Sequence, residues 1–188
     1  MQAKTKNRLT ILFTVVLFTA PVVVAYLLSS GLIEYKPDGT KNNGRFISPL
    51  VKIADHANGP WVDQLNDHWT LIRRVPGSCE PGCEQLQDEL LRYRLSLGHR
   101  AEKLELMLMT DQSLSAGEDL FPLVEKVSLA GNQALQAVMD QLSVESLGNG
   151  DGLYVVAPEG FLMMAFTAQN SSSEIIKDLS LLVKRKGD

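Results

Sequence analysis

Twenty consecutive residues without a charge, Leu9 to Leu28 apart from Arg8 just before them, constrain this chain before anything else does. A helix of about 20 residues is about 30 Å long, which matches the hydrocarbon thickness of a bilayer. Pro21 inside the run is compatible with this, because membrane helices tolerate proline. Lys4, Lys6 and Arg8 precede the run, and the residues just after it are nearly neutral. The positive-inside rule then puts the N-terminus in the cytoplasm and the rest of the chain outside it. A cleaved signal peptide fits less well: its apolar core is about 7–15 residues and ends in a small-x-small site, of which Val23-Val24-Ala25 is a poor example. The expectation is one retained transmembrane helix.

The chain has 188 residues. Removing the anchor leaves roughly 150, the usual size of one domain with one core. The expected organisation is an N-terminus and anchor over 1–30, a stalk or entry segment over 31–58, and a domain over 59–188. Lys36-Pro37-Asp38-Gly39 and Asn42-Asn43-Gly44 are turn sequences within the stalk. The formal net charge is -4, from 22 acidic and 18 basic residues. A nucleic-acid binder normally carries a basic excess, so that class is set aside.

Inside the domain the apolar pattern alternates between strands and helices. Trp69-Thr-Leu-Ile72 reads as a strand. Leu86, Leu90, Tyr93 and Leu97 form one helical stripe, with Pro81 suited to its first turn and Gly98 to its stop. Leu104 to Met109 reads as a second strand with Leu104, Leu106 and Leu108 on one face. A loop is expected over 111–121, and a short strand over 123–127. Asn132 to Leu142 reads as a helix, with Leu135, Val138, Met139 and Leu142 inward. Leu153 to Ala157 and Phe161 to Phe166 are strands joined at Pro158-Glu159-Gly160. A last helix runs from Ser172 to Lys184, with Ser171 and Glu174 as a capping box. Strands separated by helices imply parallel crossovers, and the late hairpin adds antiparallel pairing. The fold class is α/β, a central sheet flanked by helices.

Cys79 and Cys83 are the only cysteines and fall where the first strand hands over to its helix. In open α/β sheets this end of the strands is where function usually lies. Either a helical i, i+4 spacing or a folded loop brings the two sulfurs close enough to bridge each other or one metal ion. A helix N-terminus stabilises a thiolate, and Arg73 and Arg74 just upstream add positive charge. Glu80 and Glu84 oppose it. A structural disulfide is the competing reading, since bridges persist outside the cytoplasm. His56, His68 and His99 show no metal-type spacing and read as ordinary histidines. Met107, Met109, Met163 and Met164 lie within strands and read as core filling rather than as Cu(I) ligands. No phosphate loop, hydrolase elbow or zinc HExxH motif is present.

Three segments together resemble the SCO/SenC proteins, thioredoxin-fold factors of cytochrome c oxidase copper-site assembly. They are Trp69-Thr-Leu-Ile followed by Cys79-x-x-x-Cys83 and its helix, Tyr154-Val-Val-Ala-Pro-Glu-Gly160, and the anchor just upstream of the domain. Arg92 to Gly98 and Gly160 to Phe166 are similar to a divergent subgroup of membrane proteins encoded with cytochrome oxidase genes. The resemblance implies a thioredoxin-like sheet and a single-pass inner-membrane protein with its C-terminal domain in the periplasm. It also implies a partner that is an oxidase subunit or a copper chaperone. The family's copper-ligand histidine, five residues before the hairpin tyrosine, is Asn149 here, and the thioredoxin-type cis-proline position is Gly152.

The leading expectation is thiol–disulfide exchange by Cys79 and Cys83, with Cys79 attacking as the more exposed thiolate and Cys83 resolving. A second is a Cu(I) chaperone, with copper on Cys79 and Cys83 and a replacement third ligand. A third is a partner-binding scaffold with a structural disulfide.

Overall fold

The apolar runs at Leu104–Thr110 and Gly152–Val156 carry large side chains on both strand faces, so each needs cover from both sides. The computed structural model, which describes residues 2–29, 42–79, 81–112, 122–146 and 152–184, provides it. The chain divides into two units, Met1–Lys41 and Asn42–Asp188. In the first, α1 is one helix from Gln2 to Ser29 that continues through Pro21. The side chains described within it are Arg8, Leu12 to Val23 and Tyr26, all exposed. On the described residues, no helix is long and apolar enough to cross a membrane. The expected span, Leu9 to Leu28, extends past them at both ends, where its side chains lie outside the described residues.

In the second unit the strands are β1 (Arg45–Lys52), β2 (Trp69–Val75), β3 (Leu104–Thr110), β4 (Val124–Ser128), β5 (Gly152–Val156) and β6 (Phe161–Phe166). They form one sheet in the order β1-β6-β5-β2-β3-β4. β2, β3 and β4 run parallel; β5 is antiparallel to β2, β6 to β5 and β1 to β6. The helices are α2 (Pro60–Asp63), α3 (Cys83–Ser96), α4 (Gln133–Ser146) and α5 (Ser172–Lys184).

Period-2 alternation splits the core in two. Leu104, Leu106 and Leu108 face α3 and α5, packing with Leu71, Leu90, Tyr93, Leu179 and Val183. Met107 and Met109 face the other way, with Ile72, Leu135, Met139, Tyr154 and the N-terminal Ile53 and Trp61. Met107, Met109 and Met164 are core residues and Met163 packs partly buried against the core, as their placement in strands suggested. The hairpin, the β4 strand and α5 all form where expected. The capping box is present: the Ser171 N–H donates to Glu174 Oε2 at 2.8 Å, and the Glu174 N–H donates to Ser171 Oγ at 3.4 Å. The Ser171 bonds hold the Glu174 carboxyl below its ordinary pKa, the backbone N–H foremost.

One difference concerns where the domain begins. Residues 42–58, expected as entry segment, belong to the second unit, and β1 is its edge strand. Pro49 masked this strand in the sequence. Proline is admitted at a sheet edge or an irregularity, and β1 shifts register between Phe46 and Val51. The remaining stalk residues, 31–41, lie outside the described residues.

A buried carboxylate ties this entry to α5. Asp178, 2% exposed, accepts from the Asn43 N–H at 2.6 Å, the Gly44 N–H at 2.8 Å and Asn43 Nδ2 at 2.9 Å. Asn170 Nδ2 adds a bond to the Asn43 carbonyl at 3.0 Å. A Cβ at 44 would stand 2.6 Å from Phe166 Cε1 and 2.7 Å from Met164 Sδ, so any larger residue there must displace those side chains. Asp178→Ala leaves three donors without their acceptor and is expected to cost about 2–4 kcal/mol in denaturant unfolding. A loss below about 0.5 kcal/mol, the range of ordinary surface changes, would contradict the clamp.

Candidate functional site

The chain leaves β2 at Val75 and must turn back to start α3 within seven residues. Gly77 makes the turn at φ +75, a left-handed value that glycine adopts without strain. The turn is held from the end of β3: the Gly77 N–H donates to Asp111 Oδ2 at 3.2 Å, and the Gln112 N–H donates to the Gly77 carbonyl at 3.3 Å. The loop then closes on itself, with the Gly82 N–H donating to the Cys79 carbonyl at 2.6 Å. α3 begins at Cys83 rather than at Pro81, so Cys83 occupies the first helical position.

Cys79 and Cys83 are joined by a disulfide with a Cα–Cα separation of 4.9 Å. The two expected sulfurs are therefore together, at the C-terminal end of β2. Their exposure reverses the expectation. Cys79 is 6% exposed and belongs to the core cluster under α3, whereas Cys83 is only partly buried against it. Cys83 also stands where the helix dipole acts most strongly. Cys83 is the more exposed of the two cysteines. Nothing local in the sequence announces that the loop folds Cys79 under the sheet edge.

The two arginines are not a pair beside the sulfurs. Alternation along β2 puts Arg73 on the α3 face and Arg74 on the α4 face. Arg73 acts on Tyr93, whose hydroxyl donates to Glu89 Oε1 at 2.9 Å. Burial pushes the Tyr93 phenol above its usual 10.0; Glu89 adds to this, while a Ser172 bond and the Arg73 charge oppose it. Arg74 is fully buried, with Nη2 3.1 Å from Asp111 Oδ1 and 2.5 Å from Asp140 Oδ1. Its charge is committed to those carboxylates, so it does not support the thiols as expected. Asp111 and Asp140 are the residues that sequence reading missed. They stand 37 and 66 positions from Arg74, and no local motif links them.

A copper ion would need a third donor beside the two sulfurs. Among the described residues, no group of three or more His, Cys, Asp and Glu is placed to hold a metal ion. His68 precedes the first residue of β2 and lines a depression with Asp67, Glu102, Lys103 and Pro158, at the end of the strand away from the disulfide. His56 follows a short turn after β1, and His99 lies in the turn after α3. Among the described residues the two sulfurs are thus not joined by a His, Asp or Glu in such a group. Asn149 and Glu80 lie outside the described residues. Gly152 opens β5 opposite Arg74, so no proline stands at that register.

The family described as "Transmembrane-like, thioredoxin-like, C-terminal domain" matches residues 69–185. No curated protein matches the chain. Among solved structures, yeast Sco1 with copper bound is similar at 14% identity and a TM-score of 0.49, over 67% of this chain and 84% of that one. ScoI of Bradyrhizobium japonicum with copper bound is similar at 16% identity and a TM-score of 0.42, over 64% and 88%. BsSco, a Sco-family protein whose structure is described through a disulfide switch, is similar at 12% and 0.43, over 66% and 85%. Identities this low carry over no functional residue.

The exposure difference sets an order of reaction. After reduction, a small alkylating reagent at limiting concentration is expected to modify Cys83 before Cys79, read by peptide mass. Faster modification of Cys79 would contradict the assignment.

Proposed function

We propose that this chain, which belongs to the transmembrane-like, thioredoxin-like family, is a membrane-anchored thiol–disulfide accessory factor in assembly of the cytochrome c oxidase copper site. The observation that carries the chemistry is the Cys79–Cys83 bond at the strand-to-helix junction, with Cys79 buried and Cys83 only partly so. An incoming thiolate would attack Cys83 Sγ, form a mixed disulfide, and release Cys79 as a thiolate that can later resolve it. The helix N-terminus stabilises negative charge on sulfur at this point. The pathway rests on the sequence resemblance to SCO/SenC proteins.

The anchor is part of the same proposal. Its support is the uncharged run Leu9 to Leu28, the basic residues before it, and the exposure of Leu12, Phe13, Leu17, Phe18 and Val22 on α1. Thr19, a polar residue near Pro21, turns its hydroxyl onto the Val15 carbonyl at 2.9 Å, which satisfies it within the helix. On the positive-inside reading the C-terminal domain lies outside the cytoplasm, and the resemblance to SCO/SenC proteins implies that this side is the periplasm and the bilayer the inner membrane. Tethering there would raise the effective concentration of the dithiol at a membrane target.

A second reading is a partner-binding scaffold in which the disulfide is structural, and the burial of Cys79 favours it. The Cu(I)-chaperone alternative requires a third donor, and among the described residues no His, Asp or Glu joins the sulfurs in such a group. The deciding experiment expresses the full chain with Cys79→Ser and Cys83→Ser together. The disulfide closes a short loop, so the double change is expected to cost about 2 kcal/mol and leave a folded domain. Assembly of the oxidase copper site is expected to fail while the variant stays in the membrane fraction after alkaline extraction. Normal assembly would favour the scaffold, and release of the full chain by alkaline extraction would overturn the anchor.

A further inference from the structure

One turn into α3, behind the disulfide, a buried amide has only half of its hydrogen bonding met. Gln87 is 2% exposed and stands four residues beyond Cys83. Its Nε2 donates to the Cys83 carbonyl at 3.2 Å, while its Oε1 is buried with no hydrogen-bond partner. Long helical side chains lean back over the preceding turn, which here is the turn that Cys83 opens. Leu86 and Leu90, its neighbours on the helix, pack into the core cluster that holds Cys79. An apolar side chain at 87 would fill the site without an unpaired oxygen, and such an oxygen is costly to bury. A disulfide has no proton to offer this acceptor. Reduction creates two S–H donors, one of them on Cys83, the residue whose carbonyl Gln87 already holds.

We propose that Gln87 Oε1 accepts a thiol proton from the reduced Cys79/Cys83 pair in a hydrogen bond, and so biases the couple toward the dithiol. This deepens the exchange reading and rests on it. Gln87 is a positioning residue, since it acts through the pair and transfers nothing itself. The balanced reaction uses two glutathione thiols. The first, as thiolate, attacks Cys83 Sγ; the Cys79–Cys83 bond breaks, and Cys79 leaves as a thiolate that takes up a proton. The second attacks the glutathione sulfur of the mixed disulfide; Cys83 leaves as a thiolate, takes up a proton, and glutathione disulfide departs. Two electrons enter the protein, two protons end on its sulfurs, and the Gln87 bond exists only on the product side.

The test equilibrates the full chain in detergent micelles with glutathione and glutathione disulfide, then counts dithiol by acid quench, alkylation and mass. Gln87→Leu is expected to lower the dithiol-to-disulfide constant about tenfold, equivalent to about 30 mV. Thermal melting of both forms controls for misfolding: the variant is expected to gain stability in the oxidised form relative to the reduced one. Gln87→Met, also without an acceptor oxygen, is expected to shift the constant in the same direction. An unchanged constant in folded Gln87→Leu and Gln87→Met would overturn the inference and leave the exchange reading standing. A natural-sequence chain that stays oxidised across the glutathione range would instead defeat the exchange reading. The same comparison in dithiothreitol would then still decide the role of Gln87.

Discussion

The position of the disulfide depends on one buried arginine, Arg74, and the carboxylates that meet it. Arg74 has no exposure, and a guanidinium in that state must be paired or it costs several kcal/mol. Asp111 and Asp140 pair it, and Asp111 does so while accepting the Gly77 N–H. One carboxylate therefore joins the end of β2, the end of β3 and the loop that leads to Cys79. The loop cannot drift from the sheet without giving up the Gly77–Asp111 hydrogen bond. The entry into α3 is fixed as a result, with Cys79 tucked into the core and Cys83 at the helix start.

The same cluster shows where reading the sequence succeeds and where it stops. Period-2 alternation in Leu104–Thr110, the helical stripe from Leu86 to Leu97, and the Ser171–Glu174 cap are local signals, and each became the expected element. β1 was hidden because Pro49 argues against a central strand and is silent about an edge one. Arg73 and Arg74 looked like one basic patch because they are adjacent, yet adjacency in a strand means opposite faces. Their partners come from distant elements, which only the tertiary fold brings near. The closeness of the two sulfurs was legible from spacing alone. Which sulfur is buried was not, because that depends on a loop anchored by Asp111 and Gln112.

The thioredoxin-like sheet supplies the placement, and the chain's own residues supply the chemistry. A strand end, a pinned loop and a helix N-terminus converge on Cys83, while the core holds its partner in reserve. Among the described residues no group of three His, Cys, Asp and Glu gathers at the sulfurs, and the site's own reactive groups are the two cysteines.

The most direct measurement is trapping in intact membranes. With Cys79→Ser in the full chain, a mixed disulfide through Cys83 has no resolving thiol and should accumulate. The account predicts a higher-mass species on non-reducing gels, linked through Cys83 and released by reductant. Full-chain Cys79→Ser that remains a free thiol with no adduct, in membranes where the oxidase is being assembled, would contradict it.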